Sequence, residues 1–351
     1  MQRKLIFIYF LLAISIFMSC DFPTETESWI EEKYSWCLID SDGKKLKVLK
    51  EDTGSGGSLY FISNDTEILN LGIDSFYRMY LDSSDTHFYY RFPFERIGNA
   101  KLSPNRKRII FVALNDEGED LYLVDVDGSN IRRLTYTSNT DKRYPSFSHD
   151  GEKITYINFI WDDQKVEEQN LTIFNLADDS ETVIDCEKNI QNSNYHVLYS
   201  YPCFTHNDAK IAYIKNNKVN SIGDSLFVID VDGTNNTLID DHASWLSPIS
   251  ISSNSNRLAY FRYENGCGIA SINDDGSDFT EIDNNVSTYC KFEISNNGEK
   301  IIIWNRKSEK ALYIVNTDGT NWIKLASAIR GTFSLDDKKV ACIGYNKIVH
   351  N

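Results

Sequence analysis

Six histidines, six cysteines beyond position 20 and a surplus of carboxylates are the groups in this sequence that can do chemistry. A protein-held metal needs three or four His, Cys or carboxylate ligands brought together by short spacing or by the fold. His87, His149, His196, His206, His242 and His350 form no helical or short-spaced ligand set with carboxylates or cysteines. His149 and His206 each follow a turn Ser or Thr at the same position of two neighbouring repeats, which would aim two imidazoles at one metal. Ordinary turn residues account for them better. Asp125-Val-Asp-Gly128 and Asp230-Val-Asp-Gly233 begin like calcium loops but lack the third acidic position and the distal Glu, so they read as hairpin turns. There is no Gly-rich phosphate loop and no Gly-x-Ser-x-Gly nucleophile elbow. The expectation is a protein with no catalytic residue, no metal and no cofactor.

Composition narrows the partners. The chain has 351 residues, 41% hydrophobic and 13% aromatic, enough for a large core. Its 51 acidic residues outnumber 36 basic ones, for a formal charge of -15, which excludes bulk-charge binding to nucleic acid or anionic lipid. Residues 1–19 read as a signal peptide, with Arg3 and Lys4 before an apolar run over 5–18 that is short for a membrane span of ~20 residues. That run ends in Phe17-Met-Ser-Cys20, which resembles the bacterial lipobox, so Cys20 is the expected lipidation site. Residues 20–33 then form an acidic tether, and the protein belongs to the bacterial cell envelope, periplasmic or at the cell surface, anchored to a membrane by its N-terminal lipid.

What must position any site is a repeat that fills 34–351. One half-repeat has an apolar run, a turn opened by Ser or Thr, then a basic residue and a second apolar run. Phe147-Ser-His-Asp-Gly-Glu-Lys-Ile-Thr-Tyr156 and Ile294-Ser-Asn-Asn-Gly-Glu-Lys-Ile-Ile-Ile303 are its clearest copies. Further copies begin at Ser63, Ser103, Thr205, Ser252 and Ser334, at steps of 40, 45, 57, 47, 43 and 39 residues. Between them lies a second half-repeat, an alternating strand closing on Asp-Gly, clearest over 121–135 and recurring over 226–239, 268–282 and 312–325. Asp-Gly between alternating apolar runs marks a hairpin. Two hairpins per period of ~40–45 residues make the four-stranded blade of a propeller.

The Asp-Gly half-repeat already appears at 36–49, before any Ser-type copy, and its missing partner is the last copy, 332–344. The N-terminus is therefore expected to supply strands 3 and 4 of the closing blade, and the C-terminus strands 1 and 2. Seven copies imply seven blades, with six or eight open because 346–350 has room for another strand. The fold class is all-β, a single propeller of four-stranded antiparallel blades.

Ser148-His-Asp-Gly151 and Ser103-Pro-Asn-Arg106 bring out a resemblance to the WD-like propeller repeats of the TolB family, over about 310 residues. The resemblance implies the propeller fold and a binding or scaffold role for an envelope protein or glycan, without specifying function. The alternative is a propeller enzyme, a polysaccharide lyase or hydrolase with its site at the central channel.

In the blade register Cys37 and Cys342 face each other across the closing ladder and are candidates for a disulfide, or for two buried thiols. Cys186 with Cys203 and Cys267 with Cys290 are sequence-near alternatives. Long insertions at 159–169, 186–200 and 216–224 are expected on one face. They and nearby connections carry Phe159, Trp161, Tyr195, His196, Tyr199, Trp245, Tyr263, Trp304 and Arg306, a candidate ligand face.

Overall fold

A computed structural model describes residues 29–51, 57–82, 86–94, 97–115, 118–162, 165–188, 199–216, 224–244, 248–264, 266–306 and 309–350. The Cys20 expectation therefore lies outside the described residues, among which no helix is long and apolar enough to cross a membrane. The chain divides into two compact units, one of 1–32 with 347–351 and one of 33–346, and the second is the subject here.

Its strands group in fours. β3 (Ser58–Ile62), β4 (Glu67–Leu71), β5 (Ser75–Tyr80) and β6 (Thr86–Arg91) form one antiparallel unit. The next holds β7 (Ile97–Leu102), β8 (Arg108–Asn115), β9 (Gly118–Asp125) and β10 (Arg132–Arg133). Then come β11 (Thr140–Phe147), β12 (Lys153–Asp162), β13 (Lys165–Asn175) and β14 (Ser180–Lys188). A fourth unit contains β15 (Tyr199–Phe204), β16 (Lys210–Asn216), β17 (Asp224–Asp230) and β18 (Thr237–Ala243). The fifth contains β19 (Ser250–Ile251), β20 (Arg257–Tyr263), β21 (Cys267–Asn273) and β22 (Thr280–Asp283). The sixth is β23 (Lys291–Ile294), β24 (Lys300–Trp304), β25 (Leu312–Asn316) and β26 (Ile323–Ala326). The last, in the order β2-β1-β28-β27, combines β27 (Ala328–Phe333) and β28 (Lys339–His350) with β1 (Trp29–Asp40) and β2 (Leu46–Lys50). The closing sheet is thus shared by the two ends of the chain, as the repeat order requires. Residues 346–350 continue β28 instead of making another strand.

Packing explains the hydrophobic pattern. The second strand of a unit is apolar on both sides, as in Ile109-Ile110-Phe111-Val112-Ala113, all at most 3% exposed. Outer strands such as β14 and β18 are mostly exposed. A strand reads as a continuous apolar run when neighbours cover both its faces. Among the described residues, seven clusters of buried side chains lie each between consecutive units. One joins Trp36, Leu49, Ala341 and Ile343 of the closing unit to Leu59, Phe61, Ile68 and Met79 of the β3–β6 unit. Another joins Ile302, Leu312 and Ile314 to Phe333, Val340 and Cys342, so the series of clusters returns to its start.

The Ser-turn has a definite job. Ser103, Ser148, Ser295 and Ser334 are buried, and each hydroxyl accepts the backbone N–H of the first residue of the following strand, at 2.9 Å every time. The same hydroxyls donate to the Asn or Asp two residues on, at 2.6–2.8 Å. The residue after that takes a left-handed φ: Arg106, Gly151, Asp208, Gly298 and Asp337, between 57° and 75°. Glycine is the default there. Aspartate at that position adds a clasp. Asp208 accepts the N–H groups of His149 (2.7 Å) and Asp150 (3.0 Å), and Asp337 those of Asn296 (2.8 Å) and Asn297 (2.9 Å), each in the preceding unit.

The first copy needs a correction. Ile62 pairs with Glu67 as Ser103 pairs with Arg108, so Ile62 and not Ser63 holds the serine slot. Asp65 then falls in the left-handed slot, with φ 62°, and it grips Leu335 N at 2.9 Å, clasping the closing unit in the same way. The sequence hid this register because an apolar residue replaces the turn serine. A second correction concerns 159–169, expected as a loop: Phe159 and Gln169 pair directly within a long β12–β13 hairpin.

Ile343 is fully buried in the closing cluster. Ile343→Ala is expected to cost about 2–5 kcal/mol, read as a lower denaturant midpoint with an unchanged slope.

Candidate functional site

The innermost strand of each unit, β3, β7, β11, β15, β19, β23 or β27, starts a blade and ends at the turn slot. Two positions before that slot stand Tyr60, Lys101, Ser146, Cys203, Ser250, Glu293 and Thr332. Four positions before it stand Ser58, Asn99, Tyr144, Tyr201, Pro248, Lys291 and Arg330. Contacts within each set show that these are two rings. Thr332 Oγ1 donates to Glu293 Oε1 at 2.9 Å in the first, and the rings of Tyr144 and Tyr201 lie 4.5 Å apart in the second. Arg330 there donates to Ser58 Oγ at 3.3 Å and also bonds Gly57 O.

Contacts also cross the ring. Lys101 of the β7–β10 unit lies within electrostatic reach of Cys203, two units on, and of Glu293, four units on in chain order and three units back through the closing unit. Residues of units that do not touch meet only on the axis. Lys101 is exposed to solvent, yet surrounding protein desolvates it and lowers its pKa, as expected for a side chain standing in a narrow solvent channel. Burial likewise lowers the pKa of Lys291, Arg106 and Arg330, and pushes Tyr60, Tyr201 and Cys203 up to about 12. Glu293 is raised by burial, against the pull of Phe333 N, Thr332, Arg106 and Lys101. Arg106 comes from the β7–β8 turn, bonds Phe61 O and senses Asp65, Glu293, Asp337 and Tyr60.

The axis therefore carries four cations, Lys101, Arg106, Lys291 and Arg330, around one carboxylate within the strands, Glu293, with tyrosines beside them. In a chain of formal charge -15 this gathers positive charge within the strands, with Asp65 and Asp337 of the turns also in reach of Arg106. Such a lining attracts anions, and its tyrosines offer stacking faces and hydroxyl groups.

The candidate ligand face does not assemble as expected. Phe159 and Tyr199 are buried, at 2% and 0%, in the cluster between the β11–β14 and β15–β18 units. They are corrected to core residues; their aromatic side chains fill the gap between sheets. Arg143 stacks 4.8 Å over Phe159 and Lys215 4.9 Å over Tyr199. Trp161 packs half-buried on the same cluster, and Trp304 on the closing one. Arg306 pairs with Asp283 and lies 4.7 Å over Trp322. Tyr263 is 53% exposed. Tyr195, His196 and Trp245 lie outside the described residues.

The His149 and His206 rings do come together, with centroids 5.9 Å apart. His149 Nδ1 is bonded to Asp208 at 3.0 Å and His206 Nδ1 to Ser253 O at 2.5 Å, so both serve the turns. Sequence spacing missed one acidic group with a histidine, Asp240, Asp241 and His242, whose ligand atoms lie within 4.8 Å of one another. Asp240 Oδ2 is taken by Tyr260 Oη (2.5 Å) and Arg262 Nε (2.8 Å), so an arginine already neutralises it.

No protein-family model matches the sequence, and no curated protein does. Solved structures do match. Oligogalacturonate lyase from Vibrio parahaemolyticus superposes with a TM-score of 0.60 at 14% identity, covering 92% of this chain and 98% of that one. A TolB-type protein from Agrobacterium tumefaciens gives 0.53 at 13%, over 90% and 99%. A puromycin-hydrolyzing peptidase of Mycobacterium tuberculosis gives 0.55 at 11%, over 83% and 51%. The fold is a TolB-like β-propeller. At these identities the likeness is one of fold, and the propeller's function rests on its own side chains.

The six cysteines at 37, 186, 203, 267, 290 and 342 stand as free thiols in this structure, the alternative that the sequence left open beside disulfides. Cys37 and Cys342 do meet, as the register required, and share a thiol hydrogen bond that lowers the pKa of Cys37 and raises that of Cys342. Cys267 and Cys290 share one buried cluster, and burial pushes Cys290 up to about 12. Cys186 is exposed, whereas Cys203 faces the channel with its thiol near Ala212 O at 3.7 Å. With Cys20 replaced by Ser, an aromatic disulfide reagent is expected to label one thiol quickly, that of Cys186, and six in denaturant. Four or fewer in denaturant would mean that a disulfide had formed.

Proposed function

We propose that this propeller is a non-catalytic binding module of the cell envelope, held at a membrane by lipid on Cys20, whose axial channel takes an anionic ligand. The ligand is a charged glycan or an acidic stretch of a partner protein. The observation that carries this reading is the convergence of Lys101, Arg106, Lys291 and Arg330 on the axis. Their partial desolvation strengthens attraction for an incoming anion, because few waters intervene.

A second reading is favoured by one specific arrangement. Tyr60 and Lys101 each lie within electrostatic reach of Glu293, and groups of these types can move protons. With oligogalacturonate lyases among the similar structures, a propeller enzyme acting on an acidic polysaccharide is the alternative. Loss of chain length in a polyuronate incubated with the protein, abolished by Glu293→Gln, would favour it.

The binding reading makes two predictions. Short dextran sulfate should bind with an affinity that falls as salt rises, while neutral dextran should not bind; the double variant Lys101→Met, Arg330→Met should weaken the sulfated ligand at least about tenfold by calorimetry. Equal affinity for both dextrans would overturn it. In cells, Cys20→Ser should move the protein from the membrane fraction to the soluble one.

A further inference from the structure

Glu293 stands among the cations that would hold an anion drawn into the channel. Its Oε1 accepts from Thr332 Oγ1 at 2.9 Å and from Phe333 N at 3.0 Å, so β27 fixes the carboxyl on β23. Facing it are Tyr60 from β3, Lys101 from β7 and Arg106 from the β7–β8 turn. Lys291 lies two residues away on its own strand, and Arg330 stands on β27. Cys203, Tyr201 and Tyr144 come from β15 and β11. At the turns, Asp65 and Asp337 hold the backbone N–H groups of neighbouring units, and Asp336 holds Ser334 and Lys338.

These groups divide by when they change charge. The two arginines stay cationic throughout, while burial lowers the pKa of Lys101 and Lys291, whose loss of charge at high pH a Glu293→Gln variant would keep. Burial pushes Tyr60, Tyr201 and Cys203 up to about 12, so they are neutral at the pH values that matter here. The three aspartates are spoken for by turn hydrogen bonds. Glu293 is the carboxyl inside the strands, and burial favours its protonated form. With Glu293 ionised, an entering anion meets a fixed like charge in a site with little screening, and Lys101 and Arg106 are partly engaged by that charge. A proton on Glu293 removes the repulsion and releases both cations for the ligand.

We propose that capture of an anionic ligand in the channel is coupled to uptake of one proton by Glu293, so that the protein holds its ligand in mildly acidic surroundings and releases it as the pH rises. This rests on the anionic-channel reading above. The sign follows from linkage. A bound anion favours the protonated carboxyl, so binding raises its pKa further. Affinity is constant below the value in the free protein. It falls by up to tenfold per pH unit between the free and bound values, and levels off above the latter.

The test is calorimetric titration of the full-length protein with short dextran sulfate, whose own charge does not change across this range, from about pH 4 to 8. Two buffers of different ionisation enthalpy count the protons taken up. Wild-type protein is expected to take up as much as one proton per ligand and to lose affinity as pH rises. Glu293→Gln, which keeps an oxygen for Thr332 and Phe333 N, is expected to take up none and to hold its affinity at high pH. Lys101→Met should bind more weakly with the pH slope retained, which separates loss of a cation from loss of the switch. Binding by Glu293→Gln with the wild-type slope, or wild-type binding without proton uptake, would overturn the proton coupling and leave the channel reading standing. No binding by either protein at any pH would overturn both; matched thermal melts show that the variant is folded.

Discussion

A four-stranded sheet whose middle strands are apolar on both faces has nowhere to rest except between two others like it. Neither face of such a unit can be left in water, and an open row of these units would end in two bare faces and exposed edges. Closure removes both. Here the closing unit is made from the two ends of the chain, with β1 beside β28, and the clusters on either side of it contain residues more than two hundred positions apart in sequence. The turn clasps at Asp65, Asp208 and Asp337 run in one sense around the ring, each reaching back to the unit before. The clasp at Asp65 bridges the first complete unit to the last strands of the chain. Loss of packing in the closing unit would therefore unbind two neighbours at once.

Closure also makes the channel. Seven first strands converge because the sheets behind them are packed face to face, and the positions near the turns present one side chain per unit to the axis. Burial at such a place is of an unusual kind. Water can enter, so Lys101 is exposed, yet protein surrounds it and its charged form is disfavoured. Charges there act across the axis at full effect, which is how Lys101 senses Glu293 from a distant unit while ion pairs on the outer surface are screened.

The fold was legible because its signals are local. A buried serine hydroxyl that caps the next strand, a left-handed position that wants Gly or Asp, and an Asp-Gly hairpin each leave a mark within ten residues. The displaced order of half-repeats then gave the shared closing unit. Where a local mark was replaced, as by Ile62 in the serine slot, the register slipped by one. The long β12–β13 hairpin reads as a loop in the sequence because Phe159, Trp161 and nearby polar residues do not alternate cleanly. The channel was illegible for the opposite reason. Its members are single residues some forty positions apart and of different types, so no motif marks them. Only the column two residues before each turn slot, Tyr60, Lys101, Ser146, Cys203, Ser250, Glu293 and Thr332, brings them into view.

That column explains how so little identity accompanies so close a fold. The serine slot, the left-handed slot and the apolar second strand are constrained by closure, and they occupy few positions per unit. The axial positions are not held by core packing, since their side chains point into a channel that tolerates a serine in one unit and a lysine in the next. Charge there can be rearranged without disturbing the seven clusters that hold the ring. Chemistry at the axis is thus free to diverge between propellers of the same architecture, and identities of 11–14% with the matched structures are compatible with one fold and several ligands. In this chain those axial positions hold Lys101, Lys291 and Arg330 with Glu293, a carboxyl that burial inclines to hold a proton.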